Sequence, residues 1–244
     1  MIKRVWKKPA FEVWGFCEDL TEAPHLLIAG ATGAGKNVLL DDIIWTLLGS
    51  KTPGEAQLVL IDPKRVELTK YRKTPFCAKY ASEPGDIISA VDSVIAEMER
   101  RYKEMQRKGE NQYKGAHLYL IVDELADLMI TIKKDILPRL QKLAQLGRSA
   151  RVHIWACSQS PSRLTIPAAL TLNFTHKIAL RCDSHIESRQ VVGVDGAEKL
   201  PLHGQAIIKS PGKVYRQAIP MTEDEDITAR IEYWRKARTK WAWI

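Results

Sequence analysis

The chain has 244 residues, 45% of them hydrophobic and 27% charged, which is enough to bury a substantial core in one large α/β domain with small additions. A formal net charge of +8 favours polyanionic partners, nucleic acid or an acidic membrane surface, without choosing between them. Cys17, Cys77, Cys157 and Cys182 are far apart and form no CxxC pair, which argues against a zinc ribbon or a disulfide framework and fits a reducing cytoplasm.

The basic start, Met1 to Phe11, lacks a following apolar stretch, and no uncharged apolar run reaches the ~18 residues of a membrane span. The expectation is a cytoplasmic chain, held at a membrane, if it works there, by a separate anchoring partner or by its basic ends. Residues 26–29, 58–62, 118–123 and 152–157 are apolar, β-rich and bounded by turn residues, as buried strands of a parallel sheet are. Between the second and third, residues 84–108 carry Ile88, Val91, Val94, Ile95, Met98, Tyr102 and Met105 at helical spacing. Glu97, Glu99, Arg100, Arg101 and Lys103 fall on the opposite, charged face.

A helical pair is predicted over residues 125–146, with Pro138 near the first turn of its second member. Further strands are expected at 175–180, 205–209 and 214–219, the last two forming a hairpin through Ser210, Pro211 and Gly212. Ser184 with Glu187, and Thr222 with Glu225, have capping-box spacing. The expected division is a basic segment with a short strand at 1–23, the main α/β domain at 24–222, and a basic, Trp-rich helix and tail at 223–244. In that last part Ile227, Ile231 and Trp234 share a helical face, and Arg235, Lys236, Arg238, Lys240, Trp241 and Trp243 follow. Such a mixture suits a membrane interface, a partner groove or nucleic-acid stacking, and equally a helix packed on the domain.

Between the first strand and the next helix, Gly30, Ala31, Thr32, Gly33, Ala34, Gly35 and Lys36 match GxxxxGK, and Asn37 and Val38 continue into the helix. Glycines let backbone N–H groups approach phosphate oxygens, the helix N-terminus adds positive potential, and Lys36 reaches the β and γ phosphates of ATP. Asn37 stands where Ser or Thr usually offers Mg²⁺ a hydroxyl; its amide oxygen is a neutral hard ligand on a longer arm. At the end of the third predicted strand lie Asp123, suited to hold Mg²⁺, and Glu124, suited to orient or deprotonate the attacking water. Acids at a strand end also cap helices.

Together with segments Pro24 to Ala29, Ile61 to Lys64, Glu97 to Tyr102, Asp123 to Met129, Leu143 to Arg148, Ser158 with Gln159, and Asp183 to Glu198, these motifs resemble the motor domain of the FtsK/SpoIIIE family. The segment between Tyr102 and the third strand is short for that family, and Ser160 stands between Gln159 and Pro161 where an arginine is usual.

The resemblance implies a RecA-like P-loop ATPase with a mostly parallel central sheet, flanking helices and a C-terminal β-hairpin. It also implies a hexameric ring around double-stranded DNA that couples ATP hydrolysis to DNA translocation in conjugative, phage or chromosomal transfer. Under it, Gln159 senses the γ-phosphate and Arg148, with Arg189 as second candidate, is an arginine finger; a surface ion pair is the other reading of each arginine. Asp62 and Lys64 would link nucleotide state to motion, or simply pair locally. Lys108 and Lys114, with Arg107 and Asn111, and Lys133 with Lys134 are the candidate DNA-phosphate contacts, or else a solvated basic face. Two alternatives stand beside the DNA motor: a related protein-secretion ATPase, and a nucleotide-binding assembly protein whose hydrolysis is impaired at Asn37.

Overall fold

A computed structural model of the chain describes residues 23–159, 166–219 and 222–237. Ser160, Pro161, the segment 1–22 and the basic, aromatic residues beyond Ala237 lie outside it. Eight strands form one sheet: β1 (His25–Ala29), β2 (Ala56–Ile61), β3 (Cys77–Ala81), β4 (His117–Val122), β5 (Val152–Ser158), β6 (His176–Ala179), β7 (Gln205–Ser210) and β8 (Lys213–Ala218). Their order is β3-β2-β4-β5-β1-β6-β7-β8. The first six are mutually parallel, and β7 and β8 add an antiparallel hairpin. Gly212, at φ 78° after Pro211, supplies the positive φ of its tight turn.

β1, β4 and β5 are buried along their whole length, because helices cover both faces. On one face lie α1 (Lys36–Ser50) and, over it, α7 (Asp224–Ala237); on the other lie α2 (Pro84–Lys108), α3 (Leu125–Thr131), α4 (Lys133–Leu146) and the short α5 (Ala168–Thr171). α6 (His185–Val192) completes that second face over β6 and β7. The expected α/β architecture, mostly parallel with a terminal hairpin, is the one observed.

Several local expectations change. β3 was not foreseen: it is a half-buried edge strand whose Cys-Ala-Lys-Tyr-Ala pattern is too weakly apolar to stand out. Arg101, placed by periodicity on the charged face of α2, is 3% exposed. Its Nη1 donates to Ala150 O at 2.8 Å and Arg151 O at 3.2 Å, and its Nε to Glu97 Oε1 at 2.8 Å, so the guanidinium caps the turn that enters β5. Pro138 is the sixth residue of α4, not a first-turn residue. It is exposed, and so is Lys134, the residue whose carbonyl loses a donor to the proline ring, so water can serve that oxygen.

Ser184 caps α6 by accepting from Glu187 N at 3.3 Å. α7 begins at Asp224, which leaves Thr222 just outside the cap, its N–H donating to Asp42 Oδ1 at 2.9 Å. The predicted apolar face of α7 is buried: Ile227 and Ile231 enter the core, and Trp234 donates from Nε1 to Leu48 O at 2.9 Å. Arg230 lies over the Trp45 ring, 3.5 Å from its centroid, and donates to Trp45 O at 2.7 Å. Packing on the domain therefore accounts for the described part of this helix.

Gly147, between α4 and β5, is required by close approach. A Cβ there would lie 2.5 Å from Val152 O and 2.6 Å from Leu143 O. Gly147→Ala is expected to destabilise the fold by about 2 kcal/mol or more in urea denaturation, since backbone must move to admit the methyl group. A loss within about 0.5 kcal/mol, the range of neutral surface changes, would contradict this packing.

Candidate functional site

The parallel register brings the carboxyl ends of β1, β5, β4 and β2 to one edge, where ligands bind in open α/β sheets. The loop after β1 is pinned on both sides: Gly30 N donates to Ser158 O at 3.3 Å and Ala31 N to Arg181 O at 2.7 Å. Gly33 and Gly35 have φ of 78° and 89°, which turns the loop back into the N-terminus of α1. Nothing lies within 4 Å of a Cβ built on Gly33, so its concave side is open to a phosphate. Lys36 folds over this loop and donates from Nζ to Gly30 O at 2.8 Å and Ala31 O at 3.0 Å. Burial lowers its pKa, while the nearby Glu124 and Asp123 carboxylates act against that shift.

Asp123 and Glu124 follow β4, and both are nearly inaccessible. Glu124 has its oxygens occupied. Gln159 N donates to both at 3.1 Å and Ala126 N to Oε1 at 3.3 Å, so in this state it caps α3 and ties β4 to β5. Burial raises its pKa, and those donors oppose the rise. Gln159 also meets the phosphate loop, accepting at Oε1 from Thr32 Oγ1 at 2.9 Å. Glu124, Gln159 and Thr32 are thus one hydrogen-bonded group, and Lys36 closes the loop that carries Thr32.

Asp123 has no hydrogen-bond donor among the described residues. Burial, then the neighbouring Asp62 and Glu67 carboxylates, push its pKa from 3.8 up to about 7. Asn37 stands half-exposed beside Lys36 with its amide free of hydrogen bonds to the described residues. A bare carboxylate and a free amide oxygen are a hard donor set that suits Mg²⁺. Val38 is 41% exposed and opens onto a cleft of about 240 Å³ lined by Ala34, Gly35, Leu39, Leu180, His203, Gly204 and Ile219. Sequence reasoning missed His203, Gly204 and Ile219, because they reach the phosphate loop only through the β7–β8 hairpin and its flanks.

The remaining candidates are dispersed. Arg148 is exposed at the start of β5, while Gln159 follows its end, roughly 20 Å away along a seven-residue strand. Arg189 is ion-paired to Asp195, Nε to Oδ1 at 2.5 Å. Lys64 pairs with Asp127 at 3.4 Å. Lys108 pairs with Glu104 at 2.6 Å in the last turn of α2, and Lys114 with Glu110 at 2.8 Å just beyond it. Lys133 and Lys134 begin α4, which runs parallel to α2, as the Asp92–Arg139 and Glu99–Lys142 pairs show. The two lysine groups therefore sit at opposite ends of the α2–α4 layer.

Sheet order, phosphate loop and strand-end acids define a P-loop nucleotide-binding protein of RecA-like architecture. A sequence profile of the FtsK/SpoIIIE family matches residues 15–117. The chain is 37% identical to the DNA translocase FtsK of Chlorobaculum tepidum, across 88% of this chain and 30% of that protein. With the DNA translocase FtsK of Listeria monocytogenes it shares 33% identity across 90% of this chain and 32% of that one. The chain belongs to the FtsK/SpoIIIE family and spans about a third of the length of these relatives.

Among solved structures, the pCW3 conjugation coupling protein TcpA, in a monomer form with ATPγS, superposes with a TM-score of 0.78 at 23% identity, covering 89% of this chain and 66% of TcpA. The cytoplasmic domain of the Thermomonospora curvata type VII secretion ATPase EccC gives 0.74 at 24% identity, covering 87% of this chain and 28% of EccC. Both likenesses establish the fold. Among the described residues no helix is long and apolar enough to cross a membrane.

The native state keeps the Asp123 proton over a pH range in which the unfolded chain has lost it, so burial of this group costs stability as pH rises from 3.8 to about 7. Asp123→Asn removes that cost. Without metal it is expected to stabilise the fold by an amount that grows by about 2 kcal/mol between pH 5 and pH 8 in chemical denaturation. A pH-independent effect would show ordinary acidity at Asp123.

Proposed function

We propose that this chain is an ATP-driven motor domain that moves double-stranded DNA, acting as a ring of identical copies, six by family resemblance. The observation that carries this reading is the 37% identity to a DNA translocase FtsK over 88% of the chain, combined with a phosphate loop whose Lys36 lies within electrostatic reach of Asp123 and Glu124 and whose Thr32 bonds Gln159.

In this reading Gly30 to Val38 wrap the phosphates and Lys36 exchanges its loop carbonyls for phosphate oxygens. The cleft beside Val38 takes the nucleoside, its apolar wall and His203 offering a base surface. Asn37 and Asp123 hold Mg²⁺, which when bound neutralises charge developing on the phosphoryl oxygens. Glu124 orients the attacking water and takes its proton, which requires it to leave Gln159 N; Gln159, through its contact with Thr32, is placed to register the γ-phosphate. Arg148 lies too far along β5 to serve its own phosphate loop, so a role as arginine finger belongs to a neighbouring copy's site. Lys108, Lys114, Lys133 and Lys134 contact DNA phosphates, the first two after release from their carboxylate partners.

Turnover of ATP with and without linear duplex DNA tests the proposal. DNA is expected to stimulate it, with a steep loss as salt rises. Lys36→Ala should abolish nucleotide binding, Glu124→Gln should abolish turnover while keeping binding, and Asn37→Ser should raise turnover. The position of Asn37 motivates a second reading, a nucleotide-binding assembly protein with hydrolysis impaired at Asn37; nucleotide binding without turnover or DNA binding in the parent, with DNA-independent turnover restored in Asn37→Ser, would establish it instead, and no turnover and no DNA binding in either form would overturn the motor reading. Stimulation by a protein substrate but not by DNA would point to a secretion ATPase.

A further inference from the structure

One carboxylate beside this site has no task in the reading above. Asp62 follows β2 and is fully buried. The β2–β4 register pairs Ile61 with Val122, and Asp123 N continues the ladder to Ile61 O at 3.1 Å, so Asp62 and Asp123 are the next pair across the two strand ends. Register partners in a parallel sheet share a face, on strands about 4.8 Å apart. The two oxygens of Asp62 differ. Oδ2 accepts from Leu68 N at 3.0 Å and takes weaker contacts from Tyr80 Oη at 3.4 Å and Thr69 Oγ1 at 3.5 Å. Oδ1 is buried and has no partner among the described residues.

A buried carboxylate oxygen without a donor is costly, and here it adjoins a second carboxylate that also lacks one. Fixing the loop after β2 needs only Oδ2. It does not explain an acid with a bare second oxygen, because an amide would accept from Leu68 N equally well without the like charge beside Asp123. Glu124 differs in the observed state: both its oxygens already accept backbone N–H groups. Nor does Lys64 pair with Asp62: it reaches Asp127.

We infer that Asp62 is a positioning residue for the catalytic cation: its Oδ1 accepts a hydrogen bond from a water in the coordination shell of the Mg²⁺ that Asp123 holds. The inference rests on the proposed nucleotide reading. It assigns the buried pair of strand-end acids a joint function, Asp123 binding the metal and Asp62 fixing its hydration, which matters most in a chain whose phosphate loop offers the longer Asn37 amide.

The test is Mn²⁺ binding followed by electron paramagnetic resonance in the complex with a non-hydrolysable ATP analogue, for the parent chain, Asp62→Asn and Tyr80→Phe. Asp62→Asn keeps an acceptor for Leu68 N and removes the charge. It is expected to weaken Mn²⁺ binding about tenfold, the usual effect of losing an outer-shell partner, with analogue affinity in EDTA changed less than about twofold and thermal stability equal to or above the parent's. Tyr80→Phe, which removes a weak Oδ2 donor and the Tyr80–Thr69 hydroxyl contact but no partner of Oδ1, should leave Mn²⁺ binding unchanged. Equal Mn²⁺ affinity in the parent and Asp62→Asn, or equal losses in Asp62→Asn and Tyr80→Phe, would overturn the inference while leaving the nucleotide reading intact. Failure of the parent to bind the analogue at all would overturn both.

Discussion

The backbone N–H of Gln159, donating to both oxygens of Glu124 at 3.1 Å, joins the parts of the site on which chemistry depends. It links the end of β5 to the end of β4, and the Gln159 side chain carries the link on to Thr32 in the phosphate loop at 2.9 Å. Lys36 closes the same loop on itself through Gly30 O and Ala31 O. Lys36, Glu124 and Gln159 are therefore satisfied internally, whereas among the described residues Asp123 and Asn37 are not. In the proposed function a nucleotide exchanges the internal contacts for its own, and Gln159, bonded to both the phosphate loop and Glu124, would carry that change to Glu124.

Around this link the charges are unbalanced. Asp62, Asp123 and Glu124 are buried within one edge, and Glu67 acts on Asp123 from the loop after β2. Glu67 also acts on Asp41 of α1, whose carboxylate is held by Lys70 and by Tyr71 Oη at 2.8 Å. The segment from Asp62 to Tyr71 thus spans from the strand-end acids to the helix that begins at Lys36. Asp42, next in α1, accepts from Thr222 N just before α7, and burial pushes its pKa up to about 6. In the proposed function, a cation held at Asp123 would relieve repulsion at one end of a charge network that extends across α1.

Strand ends were legible in the sequence because β1, β4 and β5 are apolar at every position and stop at residues with evident chemistry: Gly30, Asp123 and Gln159. Buried parallel strands announce themselves in that way. The edge strand β3 does not, since half-burial with Ala and Lys leaves little periodic signal. Arg101 was misplaced for a related reason: helical periodicity assigns a face, and a guanidinium whose stem and head fill a gap over a turn sits on the apolar one. The cleft wall at His203 and Ile219 was invisible because it depends on where the β7–β8 hairpin packs, which no local pattern encodes. The same holds for Asp62, whose place beside Asp123 comes from the β2–β4 register and whose unequal oxygens come from Leu68, Thr69 and Tyr80 packing on one of them.

A crystal structure of this chain with Mg²⁺ and a non-hydrolysable ATP analogue would show whether Lys36 and the loop from Gly30 to Val38 take the phosphates of ATP. Lys36 Nζ is expected to have left Gly30 O for the β and γ phosphates, with the base in the cleft lined by Val38 and His203. An analogue bound elsewhere, with Lys36 still on Gly30 O and Ala31 O, would contradict this placement.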